Sequence, residues 1–323
     1  MKDILVSGVK PTGDIHLGNY FGAMKQFVDM QDDYDSRIFL ADLHAITTVQ
    51  NKTDLQRKTI DQVKAYLAIG LNPEKTIIFK QSDFPEITEL SWIFSCISTM
   101  PYLMRAHSFK DAEAKDKEIN VGVFTYPILM AADILIQDAN VVPVGKDQKQ
   151  HVEISRDMAR KFNTKFGEVF IEPKEHIIES VKTVPGIDGK KMSKSYENTI
   201  PLFASRDDIQ SLVMKIPTTS EAVEDSKDPD ESIIYKIHKL LITKVEDTEL
   251  KKKYINGGLG WKEAKDNLVD SLDNFIKPLR EKYDSISDEE AIKVIQEGNN
   301  KIRPIIEKKI VEIKKAVGLI IND

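Results

Sequence analysis

A single cysteine, Cys96, in 323 residues leaves no partner for an intramolecular disulfide and no thiolate set for a zinc site. Alone, it reads as a small buried apolar residue. Long hydrophobic runs are also missing: no stretch approaches the roughly 20 apolar residues that a membrane-spanning helix needs. The start, MKDILVSGVKPTG, has no basic head, apolar run and small-residue cleavage site, so the expectation is a cytoplasmic protein without a membrane partner. The six histidines are scattered and no spacing suggests a metal site. Internal repeats and low-complexity tracts are absent. Two nucleotide signatures are missing as well, the dinucleotide fingerprint G-x-G-x-x-G and the P-loop G-x-x-x-x-G-K-[ST], which argues against a Rossmann dehydrogenase and against a P-loop kinase or NTPase.

Hydrophobic residues at 41% and charged residues at 30% are the proportions of a folded globular protein and exclude a disordered or collagen-like chain. The length suits a nucleotide-sized domain with a second, smaller one. A net charge of −6 argues against coating nucleic acid by charge alone. The lysine-rich stretches near Lys251 and Lys308 read first as solvated helix faces, though a local basic surface on an acidic protein can still hold an RNA.

In the first third, short apolar runs alternate with amphipathic helices. Ile4-Leu5-Val6, Arg37 to Leu40 and Thr76 to Phe79 read as buried strands, separated by helical patterns over Leu17 to Met30 and Thr53 to Ile69. This alternation predicts parallel βαβ units with right-handed crossovers. From about 83 to 140 the pattern turns helical, then Val141 to Val144 gives another strand and Gln148 to Phe162 another helix. The expectation is an α/β fold, a Rossmann-type doubly wound parallel sheet with a helical insertion, over residues 1–200. Residues 201–323 read as an all-helical domain, with helices over Ser232 to Thr243, Trp261 to Tyr283 and from Ser287 onward. Ser287 with Glu290 forms a capping-box pattern, and Ile302, Ile306, Ile310, Ile313 and Val317 share one face of the last helix.

Two segments carry the chemistry. Pro11 to Tyr20 (PTGDIHLGNY) follows the first strand and opens the first helix, where such sheets bind nucleotides. Gly13 permits a tight turn, Gly18 a close approach, and the helix start offers free N–H groups to phosphate. Gly189 to Ser195 (GKKMSKS), about 175 residues past His16, is glycine-led and rich in donors, with Lys191 and Lys194 able to set positive charge against a triphosphate. Either alone is a weak signal; their pairing is specific.

Together these segments resemble the paired signatures of the class I aminoacyl-tRNA synthetases. Lys191-Met192-Ser193-Lys194-Ser195 is the family's second signature residue for residue. His16-Leu17-Gly18-Asn19 departs from the first by Asn in place of its final histidine, a departure usual in the tryptophan and tyrosine branch. Tyr126 to Leu135 (YPILMAADIL) resembles the tryptophan members, in which Asp133 matches the carboxylate accepting the indole N–H. Met130 stands where tyrosine members tend to carry glutamine. Val144 to His151 (VGKDQKQH) and the strand-like Leu40 to Ala45 (LADLHA) also match the tryptophan members, with Lys146 standing where an acidic residue is common. Indole offers one donor and no acceptor, so a pocket that selects it needs an acceptor among apolar walls.

The resemblance spans essentially the whole chain and implies tryptophan activation by ATP, accompanied by Mg2+, followed by transfer to tryptophan tRNA with release of AMP and pyrophosphate and no tightly bound cofactor. It assigns catalysis to His16, Asn19, Lys191 and Lys194. ATP falls to Lys10, Pro11, Thr12, Gly18, Asn19, Gly145, Asp147, Gln148, Lys191, Met192, Ser193, Lys194 and Ser195. Tryptophan falls to Val6, His44, Tyr126, Met130, Asp133, Val142, Val144 and Gln148. Anticodon reading by the helical part beyond 200 and a homodimer are implied too. The alternatives are the same reaction with tyrosine, another nucleotidyl transferase on this fold, and a catalytically silent tRNA-binding relative.

Overall fold

Buried runs of β-branched and large apolar residues form the strands β1 (Ile4–Val9), β2 (Asp35–Leu40), β3 (Thr76–Lys80) and β4 (Val141–Val144), joined at one edge by β5 (Lys174–Ile177). In the computed structural model, which describes residues 2–114, 119–145, 148–177 and 184–321, all five pair in parallel in the order β3-β2-β1-β4-β5. The strand order reverses beside β1, and Leu5 pairs with Val141 there. In such sheets ligands settle outside the carboxyl ends at this reversal. The chain leaves β1 through Lys10-Pro11-Thr12 and leaves β4 through Gly145 at those ends.

β5 has no counterpart in the strands expected from the sequence. Lys174-Glu175-His176 lacks an apolar run because an edge strand is half solvated, and its pairing with β4 supplies what its side chains do not. The helices expected between strands are present, Lys52–Ala68 and Lys149–Phe166 among them, and the stretch between β3 and β4 carries Pro85–Ile97, Met100–Leu103, His107–Ala114 and Val121–Leu135. Cys96 is exposed rather than buried. It lies off the face of its helix that buries Ile87, Leu90, Ile93 and Phe94. No helix among the described residues is long and apolar enough to cross a membrane.

The chain forms two compact units that interleave along the sequence instead of dividing it once near residue 200. One comprises Met1–Thr12, Phe27–Glu179 and Ser287–Asp323; the other comprises Gly13–Gln26 and Ser180–Ile286. The first holds the sheet. Its last helix, Asp288–Ala316, capped by Ser287 accepting from Glu290 N, buries Ile302, Ile306, Ile310 and Ile313, the stripe visible in the sequence. That helix lies on edge strand β3 at Gly298, where a Cβ would stand 1.8 Å from the Ile78 carbonyl oxygen. The next residue, Asn299, accepts from Lys80 N at 3.1 Å and donates to Asp83 at 2.6 Å. An edge that would otherwise expose free N–H groups is thereby covered. In the lysine-rich stretch near Lys308, Lys309 is buried and paired with Asp138 at 2.8 Å, while Lys308 is solvated.

Beyond its leading segment and the 184–201 loop, the second unit is built of helices joined by loops, the longest running from 215 to 232. Arg206–Met214, Ile233–His238, Lys244–Asn256 and Trp261–Ser285 surround Ile209, Val213, Ile237, Leu268 and Leu272. Its other segment starts with one α-turn, Leu17–Asn19, followed by a π-helical turn, Tyr20–Met24. The wide turn sits directly after His16-Leu17-Gly18-Asn19, and π-turns of this kind concentrate at functional sites. Phe275 packs with Tyr20 at 5.3 Å and with Phe21 at 5.7 Å, which holds the turn.

Candidate active site

In the sheet-bearing unit, the chain leaving β2 and the chain leaving β3 converge on one carboxylate carried by a helix. The helix Val121–Leu135 starts at Asn120, whose side chain accepts from Val123 N at 2.9 Å. Spacings of four and three residues then put Tyr126, Met130 and Asp133 on one face. Asp133 is 1% exposed. The segment read as strand-like over Leu40 to Ala45 leaves β2 after Leu40 and closes into a single helical turn, Asp42–Ala45, with the Asp42 carboxylate in its first position. The Asp42 carboxylate accepts from Leu43 N at 3.1 Å and from Ser82 N at 3.0 Å. That turn brings His44 Nε2 within 2.9 Å of Asp133 Oδ2. From the end of β3, Gln81 Nε2 donates to Asp133 Oδ1 at 2.7 Å while its Oε1 accepts from Leu43 N at 3.1 Å. Gln137, one turn beyond Asp133, donates to the Asp133 carbonyl at 2.9 Å.

Burial pushes the Asp133 pKa up, and the bonds from His44 and Gln81 oppose that rise. A carboxylate has about four acceptor positions and these two bonds fill half, so lone pairs remain for a further N–H. The apolar walls belong to the same core: Val6, Val142 and Val144 are buried, and Met130 packs against the cluster. Tyr126 stands edge-on to His44 at 6.0 Å, and its hydroxyl lies 3.0 Å from His151 Nε2. The Lys10 ammonium sits 5.1 Å from the centre of the Tyr126 ring, a cation–π distance, and desolvation lowers its pKa. Pro11 is buried and Thr12 is exposed, with Thr12 N donating to Lys10 O at 2.8 Å. Gly145 accepts from Gln148 N at 2.9 Å, and half-buried Gln148 caps the helix Lys149–Phe166. Lys146 and Asp147 lie outside the described residues.

The other unit unites the two signature segments. Leu17 N donates to Ile200 O at 3.0 Å, Leu202 N donates to Ile15 O at 2.9 Å, and His16 bridges Pro201. Gly18 N points at Met192 Sδ, 3.3 Å away, and Met192 is 4% exposed. The methionine of the second signature is thus the anchor against the first. Gly13 has φ +74°, and a Cβ there would stand 3.0 Å from Lys194 Cδ. The left-handed backbone favours glycine at that position, and the flexible Lys194 side chain crosses close above it. Asn19 Oδ1 accepts from His16 N at 3.0 Å, closing the turn. Burial lowers the His16 pKa, and its Nδ1 is buried without a hydrogen-bond partner. Lys191, Lys194 and Ser195 are exposed, and Ser193 is half-buried.

One residue outside the expected set organises this loop. Asn198, 1% exposed, accepts from Ser193 N at 2.8 Å and donates to Asp188 at 2.7 Å and to Lys191 O at 3.1 Å. Its bond holds the Asp188 carboxyl below the usual carboxylate range. No local pattern marks Asn198 or Gln81, since each acts through its partners, and the Val144 to His151 segment gives no hint that its last residue meets the Tyr126 hydroxyl. For Asn198 the available signal was an amide just after a glycine-led loop.

A sequence model of a family described as class I tRNA synthetases (W and Y) matches residues 2–277. The tryptophan-tRNA ligase of Fusobacterium nucleatum is 47% identical over 320 residues, 98% of each chain. A crystal structure of the Campylobacter jejuni tryptophanyl-tRNA synthetase complexed with ADP and tryptophan is similar with a TM-score of 0.91 at 41% identity, over 98% of this chain and 99% of that one. The Mycoplasma pneumoniae tryptophanyl-tRNA synthetase is similar with a TM-score of 0.82 at 26% identity, over 98% of both chains.

Proposed function

The chain belongs to the class I tRNA synthetases for tryptophan and tyrosine, and from that membership we propose that it activates L-tryptophan with ATP and transfers it to tryptophan tRNA. The observation that carries the choice of amino acid is the buried Asp133 carboxylate, on one helix face with Met130 and Tyr126 and beside apolar walls. An indole N–H finds an acceptor there, and a thioether suits its flat ring.

In the first step a carboxylate oxygen of tryptophan attacks the α-phosphorus of ATP, the bond from that phosphorus to the oxygen bridging the α- and β-phosphates breaks, and pyrophosphate leaves with that oxygen. In the second, a hydroxyl of the terminal tRNA ribose attacks the acyl carbon and AMP departs. The nucleophile belongs to a substrate in each step, so the protein contributes position and charge. We assign the phosphates to His16, Gly18, Asn19, Lys191, Met192, Ser193, Lys194 and Ser195. His16, with its lowered pKa, serves as a neutral donor, and the lysines supply positive charge. Lys10, Pro11, Thr12, Gly145, Asp147 and Gln148 complete the ATP set by resemblance, and Mg2+ would arrive on the phosphate oxygens. Tyr126 and Gln148 would take the amino group of tryptophan, His44 and Asp133 the indole end, and Val6, Val142 and Val144 its faces.

We further assign anticodon reading to the helices between Arg206 and Ser285, and propose a cytoplasmic homodimer. Charging of a tryptophan tRNA transcript with labelled tryptophan tests the reading. Tryptophan esterified to the transcript, with no tyrosine on a tyrosine tRNA, is expected; the reverse pattern overturns the amino-acid assignment.

A further inference from the structure

Asp133 can choose an indole only if it stays a hydrogen-bond acceptor, and its burial works against that. Desolvation favours the protonated acid, whose O–H would face an N–H donor as another donor. The residue that settles its state lies 52 positions away in the sequence. Gln81, 0% exposed, opens the turn Gln81–Asp83 at the carboxyl end of β3. On one side it meets Leu43 N at 3.1 Å, and a backbone N–H can only donate, so the atom facing it is the amide oxygen. Its nitrogen therefore faces Asp133 Oδ1 at 2.7 Å, and an amide nitrogen can only donate. Oδ1 has to keep its lone pair. On the other side, His44 Nε2 lies 2.9 Å from Oδ2, where its Nε2–H tautomer donates.

We propose that Gln81 is a positioning residue that locks Asp133 as an acceptor toward the side chain of tryptophan, with Leu43 N–H fixing the sense of the lock. The proposal rests on the reading of Asp133 given above. The order Leu43 N–H to Gln81 to Asp133 runs one way only, because both ends are fixed: a backbone donor at the start and a carboxylate at the finish. The backbone of Asp133 is held independently, through Gln137, whose own carbonyl accepts from Arg37 at 3.0 Å. Gln81 thus acts on the carboxylate and leaves the course of the helix to others. The titratable groups facing this carboxylate are His44 and Asp42 from the turn after β2, with Tyr126 beside His44.

The test is steady-state pyrophosphate exchange on the full chain carrying Gln81→Met, which keeps the shape and removes donor and acceptor. The KM for tryptophan is expected to rise about 10- to 100-fold, the cost of a lost bond to a charged group, with kcat and the KM for ATP within a factor of about three. Preference for tryptophan over 3-benzothienylalanine, in which sulfur replaces the N–H, is expected to fall about tenfold or more. Gln81→Glu provides the second arm. It keeps the acceptor for Leu43 and sets two carboxyl groups around one proton, so its KM for tryptophan is expected to climb with pH across a range where that of the parent is flat. A tryptophan KM unchanged in Gln81→Met, an equal loss for both amino acids, or a flat pH profile in Gln81→Glu overturns the proposal. If the unaltered protein gives no exchange with tryptophan, the functional reading fails instead.

Discussion

Replacing Asn198 with alanine removes three hydrogen bonds from the loop that carries Lys191 to Ser195 and leaves the amino-acid pocket untouched. The lost bonds are those to Ser193 N, Asp188 and Lys191 O. At about 1 kcal/mol net for each, the sum is ~3 kcal/mol, and water can replace part of it because Asp188 and Lys191 are exposed. A net loss of about 1–3 kcal/mol lowers the population of the ordered loop roughly 5- to 100-fold, and apparent ATP affinity falls by the same factor when the unordered loop does not bind. Pyrophosphate exchange at varied ATP and varied tryptophan separates the effects. The expected result for Asn198→Ala is a kcat/KM for ATP lower by about 5- to 100-fold with the KM for tryptophan unchanged. The thermal midpoint should fall by roughly 2–12 °C, at about 2–4 °C per kcal/mol. Unchanged ATP parameters, or a tryptophan KM that rises by the same factor, would refute the claim that Asn198 orders the loop.

Three other perturbations have definite outcomes. Asp133→Ala strips the acceptor and leaves His44 and Gln81 facing nothing, so kcat/KM for tryptophan should fall ~10²-fold in exchange assays while the KM for ATP holds. Gly298→Ala drives a methyl group to 1.8 Å from the Ile78 carbonyl oxygen, and the last helix must lift from β3; a loss of about 3 kcal/mol, read as a midpoint lower by roughly 5–10 °C, is expected, and no change would contradict the packing described. Burial lowers the pKa of both His16 and His238, so the unfolded chain takes up these protons first as pH falls. Stability from these groups is intact above the ordinary histidine pKa, declines below it, and is fully lost below the depressed values. Urea midpoints between about pH 5 and 8 should therefore slope less steeply in His238→Gln than in the parent, and equal slopes would count against it.

Much of this architecture is legible in the sequence because it is local. β1 to β4 are short apolar runs, and the last helix shows its stripe of isoleucines without any knowledge of its partner. That partner, β3, is not legible: nothing in Gly298 or Asn299 alone announces an edge strand 219 residues away from the asparagine. β5 escapes because pairing, and not side-chain burial, makes it a strand. The run Leu40 to Ala45 reads as extended, yet the chain enters a helical turn at Asp42, two residues after β2 ends, and carries His44 with it. The signature segments stand out because their residues are contiguous. Gln81 and Asn198 stay hidden because their work is done on other residues, and a single glutamine or asparagine has no pattern of its own. The division into units is likewise a three-dimensional property, since Gly13–Gln26 joins Ser180–Ile286 and Ser287–Asp323 returns to the sheet.

The most direct measurement is exchange of labelled pyrophosphate into ATP by the purified protein, run in parallel with each of the standard amino acids. Exchange that depends on tryptophan alone is the predicted result. Exchange with tyrosine would contradict the assignment of Asp133 and Met130 while sparing the fold, and no exchange with any amino acid would contradict the assignment of an adenylating enzyme altogether.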